Sequence, residues 1–176
     1  MKTKGRCFNL YAGPGVGKTT AMLSVVAELK HRGINVEMAA EYTKELIWHG
    51  MEFIQEDIFT IQAKRLSIAT KTDFIVTDSP LLQHLIYVED GVLRQRIIDE
   101  YHQYENINIY LIRSEKIPYD PRGRYAEESI SRVVDQELRD MLDASDIDYA
   151  THRYQGRQTT AYLIDVLVAR GWIAER

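Results

Sequence analysis

The sequence predicts a three-layer α/β domain, a parallel five-stranded sheet covered by helices on both faces. Two observations lead there. Short apolar runs alternate with helical periodicity five times along the 176 residues, the pattern of strands buried between crossover helices. A glycine-rich turn also joins the first apolar run directly to the first helix. The length suits one ordinary domain, taken here as residues 1–176.

Residues 7–11 read as a short buried strand running into that turn. Residues 19–32 follow as a helix, with Met22, Leu23, Val26 and Leu29 on one face and Gly33 as its stop. A second strand is expected over 34–40, a short helix over 42–49 ending at Gly50, and a longer helix over 57–71. The run Phe74-Ile75-Val76-Thr77 has the continuous apolar character of a buried parallel strand, cut off by Pro80. A helix over 93–104 and a fourth strand over 107–112 come next. A polar stretch carrying Pro118 and Pro121 leads to a helix over 129–142, a fifth strand over 149–154 and a closing helix over 160–170.

Composition narrows the class. Hydrophobic residues make up 45% and charged residues 27%, which excludes disordered and fibrous chains. The net charge of −4 argues against nucleic-acid binding through bulk charge and leaves room only for a local basic patch. Cys7 is the one cysteine, so no internal disulfide forms and a reducing compartment fits. No secretory signal or membrane-length apolar run is present, and a cytoplasmic location is expected.

The sharpest signal is Ala12-Gly13-Pro14-Gly15-Val16-Gly17-Lys18-Thr19-Thr20, set between a predicted strand and a predicted helix. Glycines there let backbone N–H groups converge on a phosphate without Cβ interference, and the following helix N-terminus favours an anion. Lys18 would reach the β- and γ-phosphates and Thr19 would offer its hydroxyl to Mg²⁺. Residues 13–20 are therefore the expected nucleotide site, with Ala12 where the strict pattern has glycine. Read only as a turn before a helix, the segment leaves Lys18 opposing the helix dipole, which a bound phosphate resolves.

Phosphoryl transfer also needs a metal-orienting carboxylate and a group that orients the attacking oxygen. Glu41 follows the second strand and Asp78 the third, and ligands of open parallel sheets gather at the carboxyl ends of strands. Asp78 is the expected metal carboxylate. Its competing role is to cap a helix beginning at Pro80, which Ser79 could fill instead. For Glu41 the competing role is a solvated acid in the first turn of the next helix. Arg113, Lys116, Arg122, Arg124 and Arg132 cluster after the fourth strand. Residues 114–128 suit a lid whose arginines, Arg122 and Arg124 first, spread the charge on a transferring phosphate. The alternative is a surface loop whose arginines pair with Asp120, Glu127 and Glu128. Tyr11, Tyr42, Trp48, Tyr119 and Tyr125 flank the proposed site, and the five histidines show no metal-ligand spacing.

Taken together, residues 12–20, Ala40-Glu41-Tyr42, Thr77-Asp78-Ser79-Pro80 and Tyr119-Asp120-Pro121-Arg122 resemble the small P-loop kinases. Within these the chain looks most like the group of ribosylnicotinamide kinases and related phage-encoded kinases. Residues 149–154, with Gly156, Arg157 and the closing helix, fit the same group. The resemblance implies a strand order of 2-3-1-4-5, ATP and Mg²⁺, and transfer of the γ-phosphate to an acceptor hydroxyl. It implies that Lys18 and Thr19 hold phosphate and magnesium, that Asp78 and Glu41 share the metal and acceptor work, and that Arg122 or Arg124 is the lid arginine. Deoxynucleoside kinases usually carry an arginine after the third-strand acid, where this chain has Ser79, and they space their lid arginines more widely. Some phage members of the broad group resemble DNA-modifying kinases that phosphorylate 5-hydroxymethyluracil within DNA. The acceptor that the resemblance leads one to expect is a nucleoside-like group, free or in DNA. A P-loop ATPase or nucleotide switch driving a protein partner is the alternative from another class. The sequence assigns no oligomeric state.

Overall fold

The computed structural model describes residues 4–122 and 127–175. Five parallel strands form one sheet: β1 (Arg6–Tyr11), β2 (Val36–Ala39), β3 (Phe74–Thr77), β4 (Glu105–Ile112) and β5 (Ala150–Arg153), in the order β2-β3-β1-β4-β5. The helices are α1 (Lys18–His31), α2 (Thr43–Trp48), α3 (Gln55–Leu66), α4 (Gly91–Tyr101), α5 (Glu128–Ala144) and α6 (Arg157–Ala169). The expected three-layer class and strand order are both observed. β1 lies at the centre, pairing Phe8 with Val76 on one side and with Ile107 on the other.

Alternation along β1 builds the two cores. Phe8 and Leu10 pack with Met22, Val25 and Leu29 of α1 and with Leu163 and Leu167 of α6. Cys7 and Tyr11 face the opposite layer, against Phe59, Ile97, Leu138 and Leu142. Leu23, expected on the inner face of the first helix, is exposed; the buried stripe runs through Ala21, Met22, Val25, Val26 and Leu29. Burial pushes the Cys7 thiol well up, out of the range of a reactive thiolate.

Two further differences from the sequence reading have local causes. The helix expected over 57–71 ends at Leu66 and tightens into a 3-10 helix, Ser67–Lys71. There the Ser67 hydroxyl donates to the Lys64 carbonyl (2.7 Å) and Thr70 to the Ser67 carbonyl (2.9 Å), local bonds that compete with the α-helical ladder. After Pro80 the chain forms a second 3-10 helix, Leu81–Tyr87. A polar ladder also crosses the sheet: the Asn9 amide donates to the side-chain oxygens of Asn106 (2.9 Å) and Asn108 (3.0 Å).

His84, on the second 3-10 helix, is buried edge-on against Phe59, and its Nε2 has no hydrogen-bond partner among the described residues. Burial holds its pKa down at about 4. Because the unfolded chain binds this proton more tightly, stability is complete above the unfolded value and falls as pH drops from 6.5 towards 4. The expected loss is about 3 kcal/mol over that window. Urea unfolding at pH 7 and pH 4.5 should show it for the wild type and much less of it for His84→Leu; equal losses would refute the assignment.

Candidate functional site

The site grows from the end of β1. Residues 12–17 loop over the N-terminus of α1, with Gly15 at φ 85° and Gly17 at φ 114°, conformations that favour glycine. A Cβ on Gly15 would lie 2.6 Å from the Tyr119 ring, and one on Gly17 2.6 Å from the Tyr154 ring. Gly13 is equally tight, its virtual Cβ falling 2.3 Å from Asp135 Oδ1. The loop is thus enclosed by aromatic rings from the segment after β4 and from the end of β5. Val16 is buried beneath it, and Thr20 is exposed.

Lys18 opens α1 and is buried, its Nζ donating to the Ala12 carbonyl (2.5 Å) and the Gly13 carbonyl (3.3 Å). The ammonium therefore spans the loop from inside. Beside it, Thr19 Oγ1 donates to Asp78 Oδ2 at 2.5 Å. The other Asp78 oxygen accepts the backbone N–H of Glu41 at 2.8 Å. Asp78 is only 1% exposed. It does not cap the 3-10 helix behind it, which begins without any side-chain cap. Both of its oxygens face the loop and the second strand, which separates the two roles open in the sequence.

What brings Glu41 and Asp78 side by side is Thr77. Its hydroxyl donates to the Ala39 carbonyl (2.7 Å) and accepts from the Ser79 N–H and from Gln62 Nε2, each at 3.1 Å. Gln62 is wholly buried on α3. From the same helix Arg65 donates to the Ala40 carbonyl (2.8 Å) and lies over the Tyr42 ring. The strand ends are therefore tied by side chains for which the sequence reading assigned no part. The Tyr87 hydroxyl is pushed up to about 12, first by burial and then by the Glu41 and Glu137 carboxylates.

The arginines divide. Arg122 donates to Asp120 (2.8 Å) two residues before it, and its side chain is 82% exposed; this is the surface pairing weighed as the alternative. Arg132 pairs along its own helix with Glu128. Arg124 and Tyr125 lie outside the described residues. Among the described residues, the arginine held at the loop is Arg113, just past β4, whose Nη2 donates to the Pro14 carbonyl at 2.9 Å. The placement argument used for Glu41 and Asp78, the carboxyl end of a strand, applies to Arg113 as well. Trp48 is exposed, Tyr11 is buried in the core, and His152 stacks on Tyr162.

The donor set fits a magnesium nucleotide. The loop is a cradle that Cβ atoms would fill, Lys18 is a buried cation inside it, and a hydroxyl and a carboxylate adjoin it. Among the described residues no group of three or more His, Cys, Asp or Glu could hold a metal by itself. Magnesium shared with phosphates needs only one or two protein ligands.

No protein-family model matches the chain, and no curated protein matches it in sequence. Solved structures do match in shape. The APE1195 protein superposes with a TM-score of 0.53 at 17% identity, covering 99% of both chains. Deoxyadenosine kinase from M. mycoides, solved with its products dCMP and dCDP, gives 0.52 at 15% identity, over 93% of this chain and 97% of that one. The APS kinase CysC of Mycobacterium tuberculosis, bound to AMPPNP and APS, gives 0.50 at 13% identity, over 93% and 97%. The chain shares its overall fold with these proteins, two of which are kinases by name. No helix among the described residues is long and apolar enough to cross a membrane.

Proposed function

We propose that the protein is an ATP-dependent kinase that transfers the γ-phosphate to a hydroxyl of a nucleoside-like acceptor, free or within DNA. The observation that carries this reading is Asp78, one oxygen on the Thr19 hydroxyl and the other on the Glu41 amide, beside a loop spanned by a buried lysine. Bound ATP and Mg²⁺ would bring the phosphoryl group and a divalent charge. Residues 13–20 would hold the phosphates, and Thr19 and Asp78 the metal. Lys18 would neutralise charge that develops on the transferring group. Glu41 would orient the acceptor hydroxyl and accept its proton, a contribution of about 10²–10⁴-fold. Tyr119 lies close to Gly15, which is in keeping with a lid over residues 114–128 that would exclude water, and Arg122 and Arg124 would be its arginines. The resemblance to ribosylnicotinamide and phage kinases and the kinases among the structural neighbours support a nucleoside-like acceptor over a protein side chain.

The test supplies γ-labelled ATP and Mg²⁺ with three acceptor sets: nucleosides, mononucleotides, and DNA duplexes containing thymine or 5-hydroxymethyluracil. Label is expected in one set and absent with the Lys18→Ala blank. Label in duplex DNA alone would make this a nucleic-acid-modifying kinase, and label in a free nucleoside or nucleotide a metabolic one. Phosphate release with no labelled acceptor in any set would replace the kinase reading by the ATPase or switch reading.

A further inference from the structure

α5 is joined to the phosphate loop by a set of bonds that the mechanism above does not use. Ser131 and Asp135 lie one turn apart on its inner face, and both reach the loop. Asp135 Oδ1 accepts the Gly13 N–H at 2.8 Å, while its Oδ2 accepts Arg113 Nε at 2.8 Å. The Ser131 hydroxyl donates to the Pro14 carbonyl at 2.5 Å and accepts from Arg113 Nη2 at 2.6 Å. Nη2 also donates to the Pro14 carbonyl at 2.9 Å. Arg113 and Asp135 are only 11% and 18% exposed, and Ser131 is fully buried.

Counting donors shows what the arrangement leaves over. A guanidinium has five N–H groups. Here Nε and Nη2 are committed, and Nη1 has no acceptor among the described residues. Nη1 lies 3.4 Å from where a Cβ on Gly15 would stand, so the free edge is turned to the loop. Lys18, whose type of ammonium reaches the β- and γ-phosphates, sits against Ala12 and Gly13, the stretch to which Asp135 is bonded. The arginine is thus fixed on two edges at the terminal-phosphate end of the loop, its remaining donors unspent.

We infer that Asp135 is a positioning residue that holds Arg113 ready for the terminal phosphate of the bound nucleotide, with Ser131 as the second anchor. The inference rests on the nucleotide-site reading above and adds to it the group that tells a nucleoside triphosphate from a diphosphate. A side chain pinned before the ligand arrives loses no rotamer freedom on binding, which is how preorganisation raises affinity.

The experiment measures Mg²⁺-ATP and Mg²⁺-ADP dissociation constants for the full chain, for Arg113→Ala, Asp135→Asn and Ser131→Ala, and for the Arg113→Ala/Asp135→Asn pair. Asparagine keeps an acceptor for the Gly13 N–H and nearly the same shape, so the fold is retained; Ser131→Ala gives an independent approach to the same arginine. Arg113→Ala should reduce the preference for ATP over ADP by about tenfold, the scale of one charge-assisted contact. Asp135→Asn should reproduce most of that loss, Ser131→Ala part of it, and the pair no more than Arg113→Ala alone. A purely structural role would weaken both nucleotides equally and leave the ratio unmoved. An unchanged ratio in Asp135→Asn, tighter ATP binding in it, or a full additional loss in the Arg113→Ala background would each overturn the inference while the nucleotide site stands. A wild-type chain that binds neither nucleotide, with Lys18→Ala no different from it, would overturn the site reading and this inference together.

Discussion

Lys18→Ala should lower γ-phosphoryl transfer by about a thousandfold, the scale of removing a preorganised charge from a water-poor site. The side chain is buried and bonded to two carbonyls of its own loop, so its ammonium is desolvated before any phosphate arrives. A phosphate replaces those neutral acceptors with an anion, and the interaction gains most where water is excluded. Initial rates with saturating acceptor, together with nucleotide titrations, separate the two parts of the effect. A fall in kcat far larger than the rise in nucleotide Kd places the lysine's contribution in the transition state. Turnover equal to wild type would remove the lysine from the mechanism. The variant deletes no packed apolar group but leaves the buried Ala12 and Gly13 carbonyls without the ammonium's hydrogen bonds, so its thermal unfolding is measured beside its rates.

Asp78→Ala is the second large effect, and it acts on two quantities at once. It strips the Thr19 hydroxyl and the Glu41 amide of their acceptor, and Asp78 is almost wholly buried. Leaving such donors unsatisfied costs about 1–3 kcal/mol of stability. Activity should fall by about 10²–10³-fold as the metal carboxylate and the placement of Glu41 are lost together. Asp78→Asn divides these roles. Asparagine can still accept the Glu41 N–H, so most of the stability returns, while its uncharged oxygen is a poorer partner for Mg²⁺. Thermal unfolding and kcat against Mg²⁺ concentration read the two separately. Near-wild-type kcat in Asp78→Asn with an unshifted Mg²⁺ dependence would take the carboxylate out of the metal site.

Much of this protein was legible before its structure. The apolar runs around β1, β3 and β4 are local and strongly patterned, and the sheet they form was readable, as were its four crossovers and the loop over α1. Gly15 and Gly17 stand where the loop needs a left-handed backbone, so the glycine spacing carried real geometric information. The strand-end rule placed Glu41 and Asp78 after the carboxyl ends of neighbouring strands, and Asp78 accepts the Thr19 hydroxyl.

The sequence by itself determined the fold class and the phosphate loop, because both follow from periodicity and from backbone conformations that few residues adopt. The tertiary structure alone decided which arginine meets the loop. Arg113, Arg122 and Arg132 are alike as sequence, but Arg122 and Arg132 find carboxylates within four residues of themselves. Arg113 finds its carboxylate, Asp135, twenty-two residues away. The tertiary structure likewise tied the strand ends together through Gln62 and Arg65, polar residues in a helix whose own pattern shows only one buried face. Such contacts depend on how helices are laid across the sheet. No local spacing encodes that placement, so a side chain that acts across the sheet is visible only once the chain has packed.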